Sequence, residues 1–181
     1  WLSQLGGSLT FSLLWRFQCG AAGLSGLSLV VGLALVRALH GIGLTEVQLK
    51  WPNDLIVQAN GQWQKLGGIL IELQGDMEGP SAAVIGVGLN LEVDTTLRQL
   101  IDQAAMGLNQ LHGKALDPNQ LLGRCLASLA EHLSLFAEHG FSHFQPQWAA
   151  YHAFDQQAVD LHLVNGQVLP GRVIDIAEEG S

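Results

Sequence analysis

Positive charge is scarce in this sequence. Of its 181 residues, eight are Lys or Arg and sixteen are Asp or Glu, so the formal net charge at pH 7 is -8. No segment concentrates basic side chains, as a surface that neutralises nucleic-acid phosphates must do. The composition therefore argues against binding of DNA or RNA by this chain.

Cysteine is also rare. Cys19 and Cys125 are the only two, and they lie far apart in the sequence without a CxxC pair. Such sparse usage is typical of a reducing compartment, in which thiols are buried as small apolar side chains. We therefore predict a cytoplasmic protein, while a single disulfide between the two thiols stays open.

Apolar runs long enough to cross a membrane are lacking as well. The longest, residues 24–39, contains two serines, two glycines and Arg37. It falls short of the roughly 20 residues that a crossing needs, so it predicts a buried core helix with no membrane contact. A membrane-associated helix is the alternative. No charged segment precedes a cleavage-like site, so the sequence does not predict a signal peptide.

Hydrophobic residues, by contrast, are abundant. They make up 48% of the chain, charged residues make up 13%, and the mean hydropathy is +0.26. These values exclude a disordered or solvating segment and predict a folded domain with a substantial core. A chain of this length suits one compact domain with room for a second small one.

Hydrophobic spacing divides the chain into strands and helices. Alternating positions and short runs of Val, Ile and Leu predict strands over residues 9–17, 47–51, 54–58, 64–73 and 82–93. Spacing of three and four residues predicts helices over residues 24–39, 118–138 and about 143–151. Neighbouring strands favour an antiparallel meander, joined at Asn60-Gly61 by a hairpin turn. A second hairpin, of residues 158–164 and 167–176, follows the helices.

Two of the three lysines lie within sixteen positions in an apolar part of the chain. Lys50 opens the run Lys50-Trp51-Pro52-Asn53-Asp54, in which one bend could present a cation, an amide and a carboxylate. Lys65 opens the run Lys65-Leu66-Gly67-Gly68, whose glycines would let a flat ligand lie against the backbone. The alternatives are an ordinary turn with a solvated Lys–Asp pair and a glycine bulge in a hairpin.

A third run, Gly86-Val87-Gly88-Leu89-Asn90, repeats the glycine pattern in a strand and ends with an amide. Together the three runs resemble the biotin protein ligase family, whose catalytic domain contains K-W-P-N-D, K-x-x-G-I-L and G-x-G-x-N. The resemblance covers nearly all of residues 1–176. It implies an α+β, class II synthetase-like catalytic domain over residues 1–151. It also implies the start of a small SH3-like β-barrel over residues 152–181.

The resemblance also implies a reaction. Biotin and ATP, with Mg²⁺, would give biotinyl-AMP and pyrophosphate, and a lysine of a biotin carboxyl carrier protein would then accept the biotin. Two alternatives stay open: a non-catalytic biotin-sensing module, and a lipoate or octanoyl transferase that shares the fold. The sequence does not decide whether the chain forms a homodimer through a sheet edge.

The resemblance assigns roles to individual residues. Lys65, Asp54 and Lys50 would be catalytic, with Asp54 also holding the metal. The residues implied to bind biotin are Trp1, Lys65, Gly67, Gly68, Gly86 and Gly88. Those implied to bind ATP are Lys50, Asn53, Leu89 and Asn90. The segment 94–106 follows G-x-G-x-N, where the family has a loop that closes over the adenylate; an ordinary amphipathic helix is the competing interpretation.

The sequence departs from the family pattern near its start. The family's GRGRRGR loop is absent, the proline of W-x-S-P is Gln4, and an expected asparagine is Ser8. The winged-helix domain of the repressor members is absent too, and the first residue is Trp1 rather than Met. We therefore expect a catalytic core that is truncated at both ends.

A separate group, His132, His139 and His143, lies near a helix end and predicts solvated or capping histidines in preference to a zinc site.

Overall fold

The computed structural model describes residues 3–75, 78–101, 103–163 and 165–181. Its centre is a five-stranded antiparallel sheet with the strand order β1-β5-β4-β3-β2. The strands are β1 (Ser8–Phe17), β2 (Gln48–Lys50), β3 (Asp54–Ala59), β4 (Gln62–Gly75) and β5 (Ser81–Asn90). Strands β2 to β5 form the predicted meander, and β1 pairs with β5 at the far edge. The mixed α+β fold with an antiparallel sheet is thus confirmed.

Five helices accompany this sheet: α1 (Leu27–His40), α2 (Thr95–Leu100), α3 (Leu108–His112), α4 (Pro118–His139) and α5 (Gln145–Tyr151). Helix α1 covers one face of the sheet, and α4 and α5 pack beside it. Two short 3₁₀ turns, Ala21–Leu24 and Phe141–His143, precede α1 and α5. Helix α1 approaches the sheet closely at Gly32, where a Cβ atom would lie 3.1 Å from Leu49 Cδ2. Helix α4 packs on α1, and Ser128 Oγ donates a hydrogen bond to Ala34 O.

Helix α1 is a core helix. The sequence prediction counts residues 24–39 and finds the run too short to cross a membrane. With the preceding 3₁₀ turn included, the helical stretch Ala21–His40 has 20 residues and is long and apolar enough to cross one, but 67% of its most apolar window is buried inside the fold. Eleven residues of α1 are buried, which explains why its sequence is apolar on nearly all sides. The burial fits the interpretation that the sequence favours, a buried core helix that covers the sheet. The structure adds a second packing partner, helix α4.

Helix α4 begins and ends as its sequence predicts. Asp117 accepts hydrogen bonds from the N–H groups of Asn119 and Gln120, and Pro118 occupies the first helical position. Gly140, with φ of 68°, ends the helix. The buried side of α4 consists of Leu121, Cys125, Leu129, His132, Leu133 and Phe136.

The region after β5 differs from the simple prediction. Helix α2 occupies only Thr95–Leu100, and α3 follows as a separate five-residue helix that the spacing does not predict. Strands β6 (Ala158–His162) and β7 (Val168–Arg172) form the second hairpin as a separate two-stranded sheet. Strand β7 is shorter than the predicted 167–176. The division at residue 151 and the SH3-like barrel stay predictions.

Both cysteines are free, which removes the open disulfide alternative. Cys19 is exposed, whereas Cys125 lies inside α4 and burial raises the pKa of its thiol to about 11. At pH 8 about one Cys125 thiol in a thousand is then ionised, and thiolate is the reactive form. We expect the native protein to react rapidly with one equivalent of a thiol reagent and the unfolded protein with two. In Cys19→Ser the fast phase should vanish; a fast phase that persists would place Cys125 at the surface.

Candidate active site

The face of the sheet opposite α1 presents one row of aligned residues. In an antiparallel sheet, directly paired residues project to the same face. The pairings Thr10–Gly88, Gly88–Gly68, Gly68–Asp54 and Asp54–Lys50 therefore place these five residues side by side across all five strands. With strands about 4.8 Å apart, Thr10 and Asp54 are about 14 Å apart along the row.

A second row lies beside the first and contains another glycine. Ser12 pairs with Gly86, and Gly86 pairs with Leu70. We call Gly68, Gly86 and Gly88 the glycine patch, because none of the three adds a side chain to the middle of this face; Gly68 and Gly86 are partly exposed and Gly88 is buried. Leu70 is 64% exposed and Thr10 and Ser12 are exposed, so polar and apolar groups border the patch. Such a surface accepts a flat ligand against the backbone.

The Lys65 side chain reaches the patch because of a β-bulge. Leu55 pairs with Gly67 but Ile56 pairs with Lys65, so Leu66 is an extra residue on β4. In a regular strand, in which side chains alternate between the two faces, Lys65 would lie on the face opposite Gly68. The extra residue shifts the alternation by one position, so Lys65 and Gly68 lie on the same face. Lys65 Nζ lies 2.5 Å from Asp54 Oδ1, with the two side chains only 20% and 14% exposed. A Cβ atom on Gly68 would lie 3.3 Å from Lys65 Nζ.

The structure thus brings together Lys65, Asp54, Lys50 and Gly68 at one end of the patch. Lys50 is exposed and lies beside Asp54 in the register. The two lysines are therefore on the same face, and the bend of the first run meets the glycines of the second. Of the two ordinary alternatives, the bulge is present in β4. The ion pair joins Asp54 to Lys65 of the second run and is largely shielded from water, so it is not a solvated pair within the first turn.

Two residues assigned to ligands lie on the other face. Gly67 pairs with Leu55 and Leu89, and all three are buried on the helix-covered side. A Cβ atom on Gly67 would lie 2.7 Å from Leu89 Cδ2. Gly67 therefore makes room for core packing, and the Leu89 side chain fills that core. Strand alternation turns both residues away from the glycine patch. The predicted biotin contact of Gly67 and the predicted ATP contact of Leu89 stay predictions.

Asn53 and Asn90 use their side-chain amides within the protein. Asn53 Nδ2 donates to Ile69 O at 2.8 Å, and Ile69 N donates to Asn53 O at 3.0 Å. These two bonds fix the bend, which contains a cis Trp51–Pro52 peptide, against β4. Asn90 Nδ2 donates to Lys65 O at 3.2 Å. The predicted ATP contacts of both residues stay predictions, and Trp1 lies outside the described residues.

Metal ligands are sparse in the described part of the chain. It holds no group of three His, Cys, Asp or Glu side chains that could bind a metal. The rings of His139 and His143 lie 5.1 Å apart, while His132 is buried, stacks on Phe144 and contacts Ser128 O through Nδ1. Burial lowers the pKa of His132, although its contact with Ser128 opposes the shift. A packing role explains His132 better than a zinc site does.

Sequence reasoning missed two features near the site. The first is the segment 104–106, which pairs with Lys65 through a bridge at Ala105. The second is an open cavity of about 510 Å³ beyond the end of β5, lined by Leu91, Glu92, Val93, Asp94, Asn109, Gln110, Gly113, Lys114 and Ala115. No local sequence motif predicts either feature, because each depends on residues that are distant in the sequence. The exposed hydroxyls of Thr10 and Ser12 could have been found, because alternation already turns them away from the core.

Comparison with known proteins identifies relatives of this chain. Residues 1–90 match the Biotin/lipoate A/B protein ligase family. The chain is 34% identical over 161 residues to the bifunctional ligase/repressor BirA of Escherichia coli (strain K12). The aligned residues cover 89% of this chain and 49% of that protein. It is 32% identical to the biotin--[acetyl-CoA-carboxylase] ligase of Mycobacterium tuberculosis (strain H37Rv), covering 85% of this chain and 54% of that protein. The chain thus spans about half the length of these curated relatives.

A solved structure extends the match to the fold. The biotin protein ligase from Aquifex aeolicus in complex with biotin and ATP superposes with a TM-score of 0.79 and 28% identity. The superposition covers 99% of this chain and 72% of that one. Matching sequence, matching fold and the three shared runs lead to one conclusion: this chain belongs to the biotin protein ligase family.

Proposed function

We propose that this chain binds biotin and ATP, forms biotinyl-AMP and transfers biotin to a lysine of a biotin carboxyl carrier protein. One observation above all supports the proposal: Asp54 holds the Lys65 ammonium over Gly68, at the edge of a surface without side chains. A bicyclic acid lying on the glycine patch would then have its carboxylate close to a fixed positive charge. The family membership and the Aquifex complex with biotin and ATP support the choice of ligands.

In the first step, a biotin carboxylate oxygen attacks the α-phosphorus of ATP, and the bond to pyrophosphate breaks. Negative charge builds up on the α-phosphate oxygens as the new bond forms. We assign Lys65 to stabilise that charge, because a preorganised ammonium in a partly buried site needs little rearrangement during the reaction. Lys50, exposed beside Asp54, would contact the departing phosphates.

In the second step, the amine of the carrier lysine attacks the carbonyl carbon of biotinyl-AMP, and AMP leaves. We assign Asp54 to orient this amine and to accept a hydrogen bond from it, and the side of the sheet that Asp54 shares with the glycine patch supports this role. The anhydride is sensitive to water, so the patch and its borders must hold it tightly between the steps. We place this reaction in the cytoplasm, which agrees with two free thiols.

Mg²⁺ usually binds through one or two carboxylates, substrate phosphates and water. Asp54 lies beside Gly68 in the row of the glycine patch, so it would hold the ion together with the phosphates of ATP. When bound, Mg²⁺ would offset the charge of the leaving pyrophosphate. The donor set fits a substrate-bound magnesium and does not fit a resident metal with several protein ligands.

The proposal is tested by biotin-dependent exchange of labelled pyrophosphate into ATP, with the full-length protein. We expect exchange with biotin and none with lipoate or octanoate. Adding a carrier domain should then give a biotinylated lysine that avidin detects, and a carrier with that lysine changed to arginine is the matched control. Biotin binding without exchange would favour a sensor, and lipoate-dependent exchange would favour the lipoate-type relative; either result overturns the proposed function.

A further inference from the structure

We infer that Asn90 and the segment 104–106 are a positioning device for Lys65, and that Asn90 acts through the Lys65 backbone rather than through the nucleotide. This inference rests on the proposed function and deepens it. Three hydrogen bonds carry it, and all of them involve the main chain of Lys65. None involves the ammonium group, which has its own partner in Asp54.

The need for such a device follows from where β5 ends. The last pair between β4 and β5 is Gly67–Leu89, whereas β4 begins five residues earlier, at Gln62. The edge of β4 at Lys65 therefore has no neighbouring strand on the β5 side. The bulge at Leu66 lies at the same place and disturbs the pairing with β3. The hydrogen bonds between neighbouring strands therefore do not by themselves fix the backbone of Lys65.

The segment 104–106 pairs with the edge of β4 that β5 leaves without a partner. Lys65 N donates to Ala104 O at 2.9 Å, and Met106 N donates to Lys65 O at 3.0 Å, which makes a short parallel bridge. Ala105 and Met106 are 7% and 6% exposed, so the bridge is shielded from water. Buried backbone groups need partners, and here a segment from outside the sheet supplies them.

Asn90 supplies the third bond. It is the last residue of β5 and 8% exposed, and its Nδ2 donates to the same Lys65 carbonyl that accepts from Met106. Both lone pairs of that oxygen are therefore used. The Lys65 side chain is held at its base by three bonds and at its tip by Asp54. Fixing both ends of a flexible lysine keeps its charge where the α-phosphate reacts, a contribution to kcat rather than to substrate binding.

The test compares Asn90→Ala and Asn90→Asp with the wild-type full-length protein in pyrophosphate exchange. Asn90→Asp keeps the size and removes the donor. For both variants we expect kcat to fall roughly 10- to 100-fold while KM for ATP and biotin changes less than about threefold. In a Lys65→Ala background, Asn90→Ala should change the remaining rate less than about twofold, because residues that act as a unit are not additive. Asn165→Ala, which removes an exposed amide in the β6–β7 turn, is the matched control.

Two outcomes overturn the inference. A rise in KM for ATP at unchanged kcat would mean that Asn90 contacts the nucleotide. Full additivity with Lys65→Ala would mean that the two residues act independently. Hydrogen exchange gives a readout without turnover: in Asn90→Ala the amides of Lys65 and Met106 should exchange faster than in Asn165→Ala. Unchanged protection overturns the positioning contact, whereas a wild-type protein without pyrophosphate exchange overturns the proposed function.

Discussion

Replacing Lys65 with alanine is expected to lower biotin-dependent pyrophosphate exchange by about 10²- to 10³-fold, the loss typical of removing one preorganised group that stabilises charge in the transition state. The fold should persist. The Lys65 and Asp54 side chains retain 20% and 14% exposure, so water reaches the pair, and Lys50 lies beside Asp54 in the register. Pairs in that setting contribute little to stability compared with fully buried ones.

Arg124→Ala is the control for this experiment. Arg124 is exposed on α4, which packs on α1 on the side of the sheet opposite the glycine patch. We expect its exchange rate to stay within about twofold of wild type, as surface substitutions usually have small effects. Circular dichroism melting curves of both variants separate lost chemistry from lost structure. Near-normal exchange in Lys65→Ala with an intact fold would show that the charge assigned to Lys65 comes from another residue.

The Lys65 site also shows what local sequence can and cannot predict. The run that contains Lys65, Gly67 and Gly68 could be recognised as a candidate site from the sequence, because a lysine and glycines are unfavourable in an apolar strand unless they have a function there. Period-two alternation, however, puts Lys65 and Gly67 on one face and Gly68 on the other. The bulge at Leu66 reverses this relation for Lys65 alone. A bulge depends on pairing with a second strand, so no property of the run itself reveals which residue is extra.

Strand existence was predictable where the alternation is long, as in β1, and where an Asn-Gly turn fixes the hairpin, as between β3 and β4. The alignment of Thr10 with Gly88 was not. It depends on the register between β1 and β5, which are separated by more than sixty residues in the sequence. The bridge at Ala105 has the same origin, since a strand end creates the vacancy that a distant segment fills.

The two adjacent glycines of the second run give the sharpest test of which face binds the ligand. In Gly68→Ala the new methyl group would lie 3.3 Å from Lys65 Cε and Nζ and 3.5 Å from Asp54 Oδ1. The end of a lysine is flexible and can move away, so the stability should change by less than about 1 kcal/mol. The displaced ammonium, and the methyl group on the glycine patch, should lower pyrophosphate exchange by at least about tenfold, because small shifts of a catalytic group are costly.

Gly67→Ala should behave in the opposite way. Its methyl group would lie 2.7 Å from Leu89 Cδ2 and 2.8 Å from Gly88 O, and a backbone oxygen in the middle of a sheet cannot move aside. Overpacking of this kind costs about 1–3 kcal/mol, which a thermal melt detects as a fall in Tm of several degrees. Below the new Tm, the exchange per folded molecule should fall less than in Gly68→Ala. If Gly67→Ala instead abolished exchange at unchanged Tm while Gly68→Ala stayed active, the ligand would bind the helix-covered face, and the glycine patch would not be the active site.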